Sequence, residues 1–356
     1  FQSSLMLSVA YRGSAPYKTG MTHGFVVDQD KKGKLSKSEA EKAGKPIDAA
    51  HYYNKYGADI LRLWVSSVDW QNEVPFGEDL FKQVAEPYRR IRNTLRILLG
   101  NLHGFNASSD AVAPEAMTLV DRWILECLHE VVSECRRAYD AYEFRKVFTV
   151  INQFCARDLS AIYIDLTKDR LYCDAGDSLR RRASQTVMNN VVEALARLLA
   201  PILVFTAEEA WEHAGREGSV HEQDFPVPDD RFAGKEATTE VNQLLELREV
   251  IQNGIESQVQ AKVFNKNNEA AVELTLPAGH GLSELLGDRE FATEFFIISD
   301  LKLAEGEGVS ASASRTNHPM CPRCRRYEPP ATEQSVEGDG TGLCGRCEEV
   351  LSGAAS

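Results

Sequence analysis

The sequence predicts a mainly α-helical protein that also contains short β-rich segments and a cysteine-rich C-terminal module. Apolar residues recur at helical spacing in several long segments between residues 79 and 199. Residues 271–276 alternate between apolar and polar side chains, as a half-buried β-strand does. Four cysteines near the C-terminus stand in two Cys-x-x-Cys pairs. With 356 residues and a 43% apolar composition, the chain is long enough for about two or three domains with their own cores.

A lysine-rich loop is the candidate phosphate-binding site of the first segment, residues 1–76. A β-rich run at 22–27 leads into a turn at 28–33, and the loop follows directly. The loop contains two ammonium groups and two hydroxyls: Lys34, Ser36, Lys37 and Ser38. Such cations suit a triphosphate that loses pyrophosphate, because they stabilise the charge that develops on the phosphates in the transition state. A solvated run of charge is the alternative interpretation.

A helix bundle is predicted for residues 77–225. Apolar stripes at helical spacing indicate helices that begin near residues 79, 121, 144 and 187. Pro87 is expected to break or restart the first of them. Because each stripe covers only one face, the helices can bury these faces only against each other, which predicts an antiparallel bundle.

A small α/β module is predicted for residues 226–304, after two prolines that interrupt the helical pattern. Its predicted elements are a helix near 241–260, a strand at 271–276, a turn at 277–281 and further strand at 295–298 and 301–303. Residues 305–316 are rich in Gly, Ser and Ala and are expected to be a flexible linker. This linker would lead to a metal-binding module at 317–356.

The candidate zinc ligands are Cys321, Cys324, Cys344 and Cys347. Two Cys-x-x-Cys turns with this separation can bring four thiolates to one tetrahedral ion, and such a closed site is structural. Two disulfides, or thiols that merely pack, are the alternatives, although no secretory signal opens the sequence. The remaining cysteines fall among helical apolar positions and indicate a reduced, cytoplasmic environment: Cys127, Cys135, Cys155 and Cys173.

Arginine clusters are candidate RNA contacts despite the net charge of −13. Nearly all of the acidity lies in residues 183–314, so the basic residues elsewhere can still face a polyanion. The candidates are Arg89, Arg90, Arg92 and Arg96 in the helical segment, and Arg323, Arg325, Arg326 and Arg346 beside the cysteines. An ordinary solvated surface is the alternative interpretation of each cluster.

Several motifs resemble those of class I aminoacyl-tRNA synthetases. In the first segment these are Phe1-Gln2-Ser3-Ser4, Ala15-Pro16-Tyr17, Thr22-His23-Gly24-Phe25-Val26, Lys34-Leu35-Ser36-Lys37-Ser38 and Lys55-Tyr56-Gly57-Ala58-Asp59-Ile60-Leu61-Arg62-Leu63-Trp64. The run Tyr88-Arg89-Arg90-Ile91-Arg92-Asn93-Thr94-Leu95-Arg96 and the two cysteine pairs narrow the resemblance to the bacterial isoleucyl-tRNA synthetases. The resemblance extends over essentially the whole chain and is strongest at 1–105 and 318–347.

The resemblance implies that residues 1–76 are the C-terminal piece of a Rossmann-type α/β catalytic core and that the bundle is of the anticodon-binding type. By this resemblance, Lys37 would be the principal ATP contact and Lys34 its helper, with Ser36 and Ser38 beside them. ATP with Mg²⁺ would be a substrate, and the four cysteines would hold zinc near the tRNA.

One family motif does not occur in the chain: the sequence contains no His-x-Gly-His. Leu35 also replaces the family's methionine, and residues 39–42 stand where the family has Gly-Asn. We therefore expect a C-terminal fragment of an isoleucyl-tRNA synthetase that is inactive alone. The complete enzyme is expected to be a cytoplasmic monomer that activates isoleucine with ATP and transfers it to tRNA(Ile).

Other functions fit the same residues. A stand-alone tRNA- or RNA-binding zinc protein would retain the bundle and the cysteine module without catalysis. A DNA-binding zinc protein would prefer duplex DNA to tRNA. A membrane-spanning helix is excluded at this stage, because the sequence has no run of about 18 apolar residues.

Overall fold

The computed structural model describes residues 1–29, 46, 48–331 and 342–353. Its helices are α1 (Gln2–Arg12), α2 (Ala49–Tyr56), α3 (Ala58–Ser67), α4 (Glu78–Asn101), α5 (Ala107–Asp110), α6 (Leu119–Asp140), α7 (Phe144–Gln153), α8 (Ile164–Cys173), α9 (Leu179–Leu199), α10 (Val204–His213), α11 (Glu236–Gln260), α12 (Ser283–Gly287), α13 (Arg289–Phe296) and α14 (Gly345–Gly353). A π-helix, Phe154–Tyr163, joins α7 to α8. The strands are β1 (Val26–Asp28), β2 (Val74–Phe76), β3 (Ala270–Leu276), β4 (Asp300–Glu305) and β5 (Ser310–Arg315). The prediction of a mainly helical protein is confirmed.

The N-terminal segment contains a parallel pair of short strands. Val26 of β1 lies opposite Val74 of β2, and α2 and α3 lie between the two strands in the chain. The predicted strand at 22–27 is therefore displaced toward residue 28. An aromatic cluster joins this segment to the start of α4: the ring centroid of Phe81 lies 5.0 Å from that of Tyr52 and 5.1 Å from that of Trp64. The apolar core is continuous from here into the helices.

The predicted apolar stripes are the buried faces of helices that pack against each other. Representative side chains that are fully buried are Leu98, Ile124, Val147, Leu159 and Val187. The break expected at Pro87 is wrong, because α4 continues through it. Buried Val84 before the proline and Ile91 after it are both anchored in the core, so packing on either side outweighs the hydrogen bond that proline removes.

The α/β module has a three-stranded sheet with β3 in the centre. Val272 of β3 lies opposite Leu301 of the parallel strand β4 and opposite Ala313 of the antiparallel strand β5. The strand predicted at 295–298 is wrong: Phe295 and Phe296 end helix α13. A short apolar run cannot be assigned from periodicity alone, and here the side chain of Asp288 caps a helix by accepting from the backbone N–H of Glu290.

The flexible linker predicted at residues 305–316 is also wrong, because Ser310–Arg315 forms strand β5. Its backbone pairs with β3, and its small side chains let α11 approach closely. A Cβ atom added to Gly254 of α11 would lie only 2.9 Å from the carbonyl oxygen of Ala311. The Ser- and Ala-rich composition therefore serves close packing at this position.

Two buried carboxylates cap helices that belong to other parts of the chain. Asp59 of α3 accepts from the backbone N–H groups of Phe205 and Thr206 at 3.2 and 2.8 Å. Glu126 of α6 accepts from those of Ala237 and Thr238 at 3.1 and 2.7 Å. Both carboxylates satisfy the otherwise unpaired donors of a first helical turn and favour its positive dipole end. They fix the starts of α10 and α11 relative to the preceding helices.

Within the described part of the chain, no helix combines the length and apolar character that crossing a membrane requires.

The close approach of α11 and β5 can be tested by Gly254→Ala. Alanine normally stabilises a helix, but here its methyl group would meet the backbone of β5, so we expect a loss of about 1–3 kcal/mol in the free energy of unfolding. Gly100→Ala is the matched control: this glycine also lies in a helix, with open space around the added atom, and should stabilise by up to ~1 kcal/mol. Urea unfolding followed by circular dichroism measures both; equal or higher stability of Gly254→Ala would contradict the packing.

Candidate metal centre and basic surfaces

Four cysteine side chains converge at the C-terminal end of the described chain. The sulfur atoms of Cys321, Cys324, Cys344 and Cys347 all lie within 4.8 Å of one another. The predicted ligand set is therefore brought together in one place. Four thiolates at such separations can hold a metal ion with tetrahedral coordination.

Two turns of the chain present these sulfur atoms. The first cysteine pair lies in a turn closed by antiparallel pairing of Met320 with Tyr327. Inside it, the N–H of Arg325 donates to the carbonyl oxygen of Cys321 at 2.9 Å, and Arg325 has a left-handed backbone with φ 62°. The second pair begins at Cys344 and enters α14, so Cys347 lies in the first turn of a helix. Backbone geometry, and not side-chain contact alone, sets the ligand positions.

Without a bound ion, the crowded and buried setting of the four-cysteine cluster favours neutral thiols over thiolates. The neighbouring sulfur of Cys344, at 3.8 Å, and burial together raise the pKa of Cys324 well above the ordinary thiol value. A bound cation reverses this cost, because it takes the thiolate as its ligand. The guanidinium of Arg323 also donates to the sulfur of Cys347 at 3.3 Å. This donor set suits a borderline-soft divalent ion.

Three of the four arginines beside the cysteines are directed into the protein. Arg323 donates to the carbonyl oxygen of Cys173 at 2.6 Å. Arg326 donates to the hydroxyl of Thr293 at 2.7 Å, and Arg346 donates to Asp169 at 2.8 Å through its second amino group. Arg325 is the exposed member of this set.

The candidate RNA contacts on α4 differ in their exposure and in their partners within the protein. Arg92 donates to both carboxylate oxygens of Glu209, at 2.9 and 3.0 Å, and this contact raises its pKa. Arg90 is half-buried and reaches the side chain of Asn152 at 3.5 Å. Arg89 and Arg96 are exposed. Together with α10, Arg92 and Arg96 line a groove of about 380 Å³.

The lysine loop is not among the residues that the structure describes. Lys34, Ser36, Lys37 and Ser38 lie outside the described residues. The described chain enters this segment from β1 and leaves it before α2, whose start is capped by the side chain of Asp48.

Sequence reasoning missed a buried ionic cluster that connects to the four-cysteine module. Arg170 of α8, which is 2% exposed, donates to Asp121 at 3.0 Å and to Glu294 at 2.8 Å. Burial lowers the pKa of Arg170, but the two carboxylates outweigh burial and raise it, so the guanidinium stays charged. Tyr163 and Ser184 also donate to Asp121. The sequence does carry a signal for this cluster: a charged residue that falls within an apolar helical stripe. Periodicity alone reads such a residue as the edge of the buried face.

Comparison with known proteins identifies two family models along the chain. Residues 1–76 match a model described as tRNA synthetases class I (I, L, M and V). Residues 121–274 match the anticodon-binding domain of tRNA ligase.

Curated relatives match nearly the full chain. Isoleucine–tRNA ligases of Methylacidiphilum infernorum, Thermotoga petrophila and Symbiobacterium thermophilum are 39%, 38% and 40% identical over 353, 364 and 372 residues. Each alignment covers 99% of this chain but only 38%, 39% and 39% of the relative, respectively. The chain thus spans less than two fifths of the length of these relatives. Two segments of the chain therefore match class I tRNA synthetase and anticodon-binding models, and nearly the whole chain is similar to a portion of isoleucine–tRNA ligases.

Proposed function

We propose that the chain supplies the ATP-phosphate loop and the tRNA-binding surface of an isoleucine–tRNA ligase. The whole protein would activate isoleucine with ATP and Mg²⁺ and transfer it to tRNA(Ile). The observation that carries the proposal is the order of the two family matches in this chain, a class I synthetase segment followed by an anticodon-binding segment. The curated relatives that match nearly the full chain are isoleucine–tRNA ligases.

The proposed division of labour follows the segments of the chain. Residues 1–76 belong to the catalytic core, 77–225 bind the anticodon arm, 226–304 form a junction that β5 extends, and 317–356 bind zinc. Lys37 and Lys34 contact the ATP phosphates, with Ser36 and Ser38 beside them. The parallel pairing of β1 with β2 is consistent with an α/β core.

Zinc is the metal proposed for the four-cysteine cluster. Its support is the donor set, since four thiolates around a closed position are typical of structural zinc sites. The unpaired cysteines elsewhere in the described chain, three of them buried and Cys127 half-buried, support a cytoplasmic location. A monomeric state is part of the same proposal.

Exposure and pairing within the protein together select among the proposed tRNA contacts. Arg89, Arg96 and Arg325 are exposed, and the ion pair of Arg89 with Glu86 at 3.5 Å is itself open to solvent and weak. These three arginines are therefore the strongest candidates for phosphate binding. Arg90, Arg92, Arg323, Arg326 and Arg346 all have partners within the protein.

The tRNA-binding role predicts a preference for tRNA over duplex DNA. The chain should bind tRNA at least about tenfold more tightly than a DNA duplex of similar length, with an affinity that falls as salt rises. Arg96→Gln should weaken binding and reduce the salt slope by about 1. Arg231→Gln is the matched control, because Arg231 is exposed but paired with Asp229 in the acidic part of the chain. Filter-binding competition measures these affinities. A preference for duplex DNA would contradict the proposal.

The ATP role of the lysine loop predicts a selective effect of Lys37→Ala in the full-length enzyme. Loss of a cation that stabilises the transition state should lower the rate of ATP–pyrophosphate exchange by about 100-fold, while tRNA affinity changes less than about twofold. Lys42→Ala, a lysine just beyond the motif, serves as the control and should leave the rate nearly unchanged. Equal losses of exchange rate and tRNA affinity would argue against this role.

The zinc role predicts local unfolding on metal removal. A strong chelator should expose the backbone after about residue 316 to hydrogen exchange and leave the helical circular dichroism nearly intact, because most described helices lie outside the cysteine module. Cobalt added back should give the absorption of tetrahedral thiolate coordination. Collapse of the helical signal on chelation, or cobalt spectra without thiolate bands, would refute this picture.

A further inference from the structure

The contact between the four-cysteine module and helix α8 is ionic. Asp169 lies between two arginines that flank the cysteines: Arg346 donates to one of its oxygens at 2.8 Å, and Arg326 lies 3.4 Å from the other. These three side chains are each no more than 23% exposed. Each arginine is one or two residues from a cysteine, so the fold of the module sets where both cations stand.

The same contact continues into the core of the bundle through alternating charges. The successive pairs are Arg346–Asp174 at 3.2 Å, Asp174–Arg180 at 2.9 Å, Arg180–Glu294 at 3.3 Å, Glu294–Arg170 at 2.8 Å and Arg170–Asp121 at 3.0 Å. The series begins at the partly exposed Arg346 and ends at Asp121, which is fully buried. The four-cysteine module thus contacts the outer end of a series of ion pairs whose inner members lie within the helix bundle.

We infer that Arg346 and Arg326 are positioning residues that dock the four-cysteine module on α8, and that the metal supports RNA binding through this docking. The RNA half of this inference rests on the proposed function. The docking half does not, since it concerns contacts within the chain.

The existing ion pairs of Arg346 favour a docking role for this residue over direct contact with RNA. Arg346 already makes two contacts with Asp169 and one with Asp174, and an RNA phosphate could reach it only by replacing them. Breaking a partly buried pair leaves an unpaired carboxylate with little water around it, which is strongly unfavourable. Arg325, in the Met320–Tyr327 turn that also contains Arg326, carries none of these contacts among the described residues and is exposed.

The first test compares Arg346→Gln, Asp169→Asn, the double variant and Arg325→Gln in the metal-loaded chain. Hydrogen exchange should rise by about tenfold at the last turn of α8 and in α14 in both single docking variants, because each removes one partner of the pair. The double variant should lose less than the sum of the two single effects, since both substitutions remove the Arg346–Asp169 pair. Arg325→Gln is the matched control and should stay within about twofold of the parent.

Metal content is measured alongside exchange. A metal-to-protein ratio equal to that of the parent in Asp169→Asn shows that the change is one of docking. Asp169 is remote in sequence from all four cysteines of the module, so this variant decides the matter even if Arg346→Gln fails to fold. Exchange in Asp169→Asn that matches the parent overturns the docking inference.

The second test titrates tRNA binding against salt. Docking predicts that Asp169→Asn and Arg346→Gln both weaken tRNA binding by about tenfold with an unchanged salt slope, because neither side chain touches phosphate. Direct contact predicts the opposite sign for Asp169→Asn, which removes a repulsive carboxylate and should strengthen binding. It also predicts a slope reduced by about 1 for Arg346→Gln. That second pattern overturns the inference. A parent chain that binds no tRNA refutes the proposed function, while the exchange experiment still decides the docking.

Discussion

The burial of Arg170 between two carboxylates constrains the arrangement of the helices around it. Its partners come from α6 and α13, and Ser184 of α9 donates to the same carboxylate of Asp121. An unpaired charge at this depth costs several kcal/mol, so none of these helices can shift without leaving one of the groups uncompensated. The bundle and the α/β module therefore share one ionic centre, on whose outer edge the four-cysteine module is seated.

The helix-capping carboxylates extend this principle to the ends of the bundle. Asp59 and Glu126 each stabilise the first turn of a helix far along the chain, and neither α10 nor α11 has a side-chain cap of its own. Positions that look like isolated charges in apolar stripes are thus the points where segments are joined. The paired, buried polar groups determine how the helices are arranged, while apolar packing supplies most of the stability.

The sequence alone was sufficient for features with a strong local signal. The apolar stripes predicted the buried faces of α4, α6 and α9. The spacing of the cysteines predicted that the four sulfur atoms come together. Helix α10 was missed, because its exposed Phe205 obscures the apolar stripe. Strand β5 was missed because its Ser/Ala composition is typical of linkers, and its pairing depends on β3, which is about forty residues away. The inward direction of Arg326 and Arg346 was also beyond prediction, since a cluster of arginines looks the same whether its partner is RNA or Asp169.

The long sequence separation within the ionic centre has a consequence for folding during synthesis. Glu294 follows Arg170 by 124 residues. At the usual pace of translation, the helix that carries Arg170 leaves the ribosome on the order of ten seconds before its second carboxylate partner exists. During that interval only one of its two carboxylate partners, Asp121, has been synthesised. The surface that later receives α13 is open to water. In the nascent bundle, Arg170 is therefore only partly neutralised until the α/β module that contains Glu294 has been synthesised.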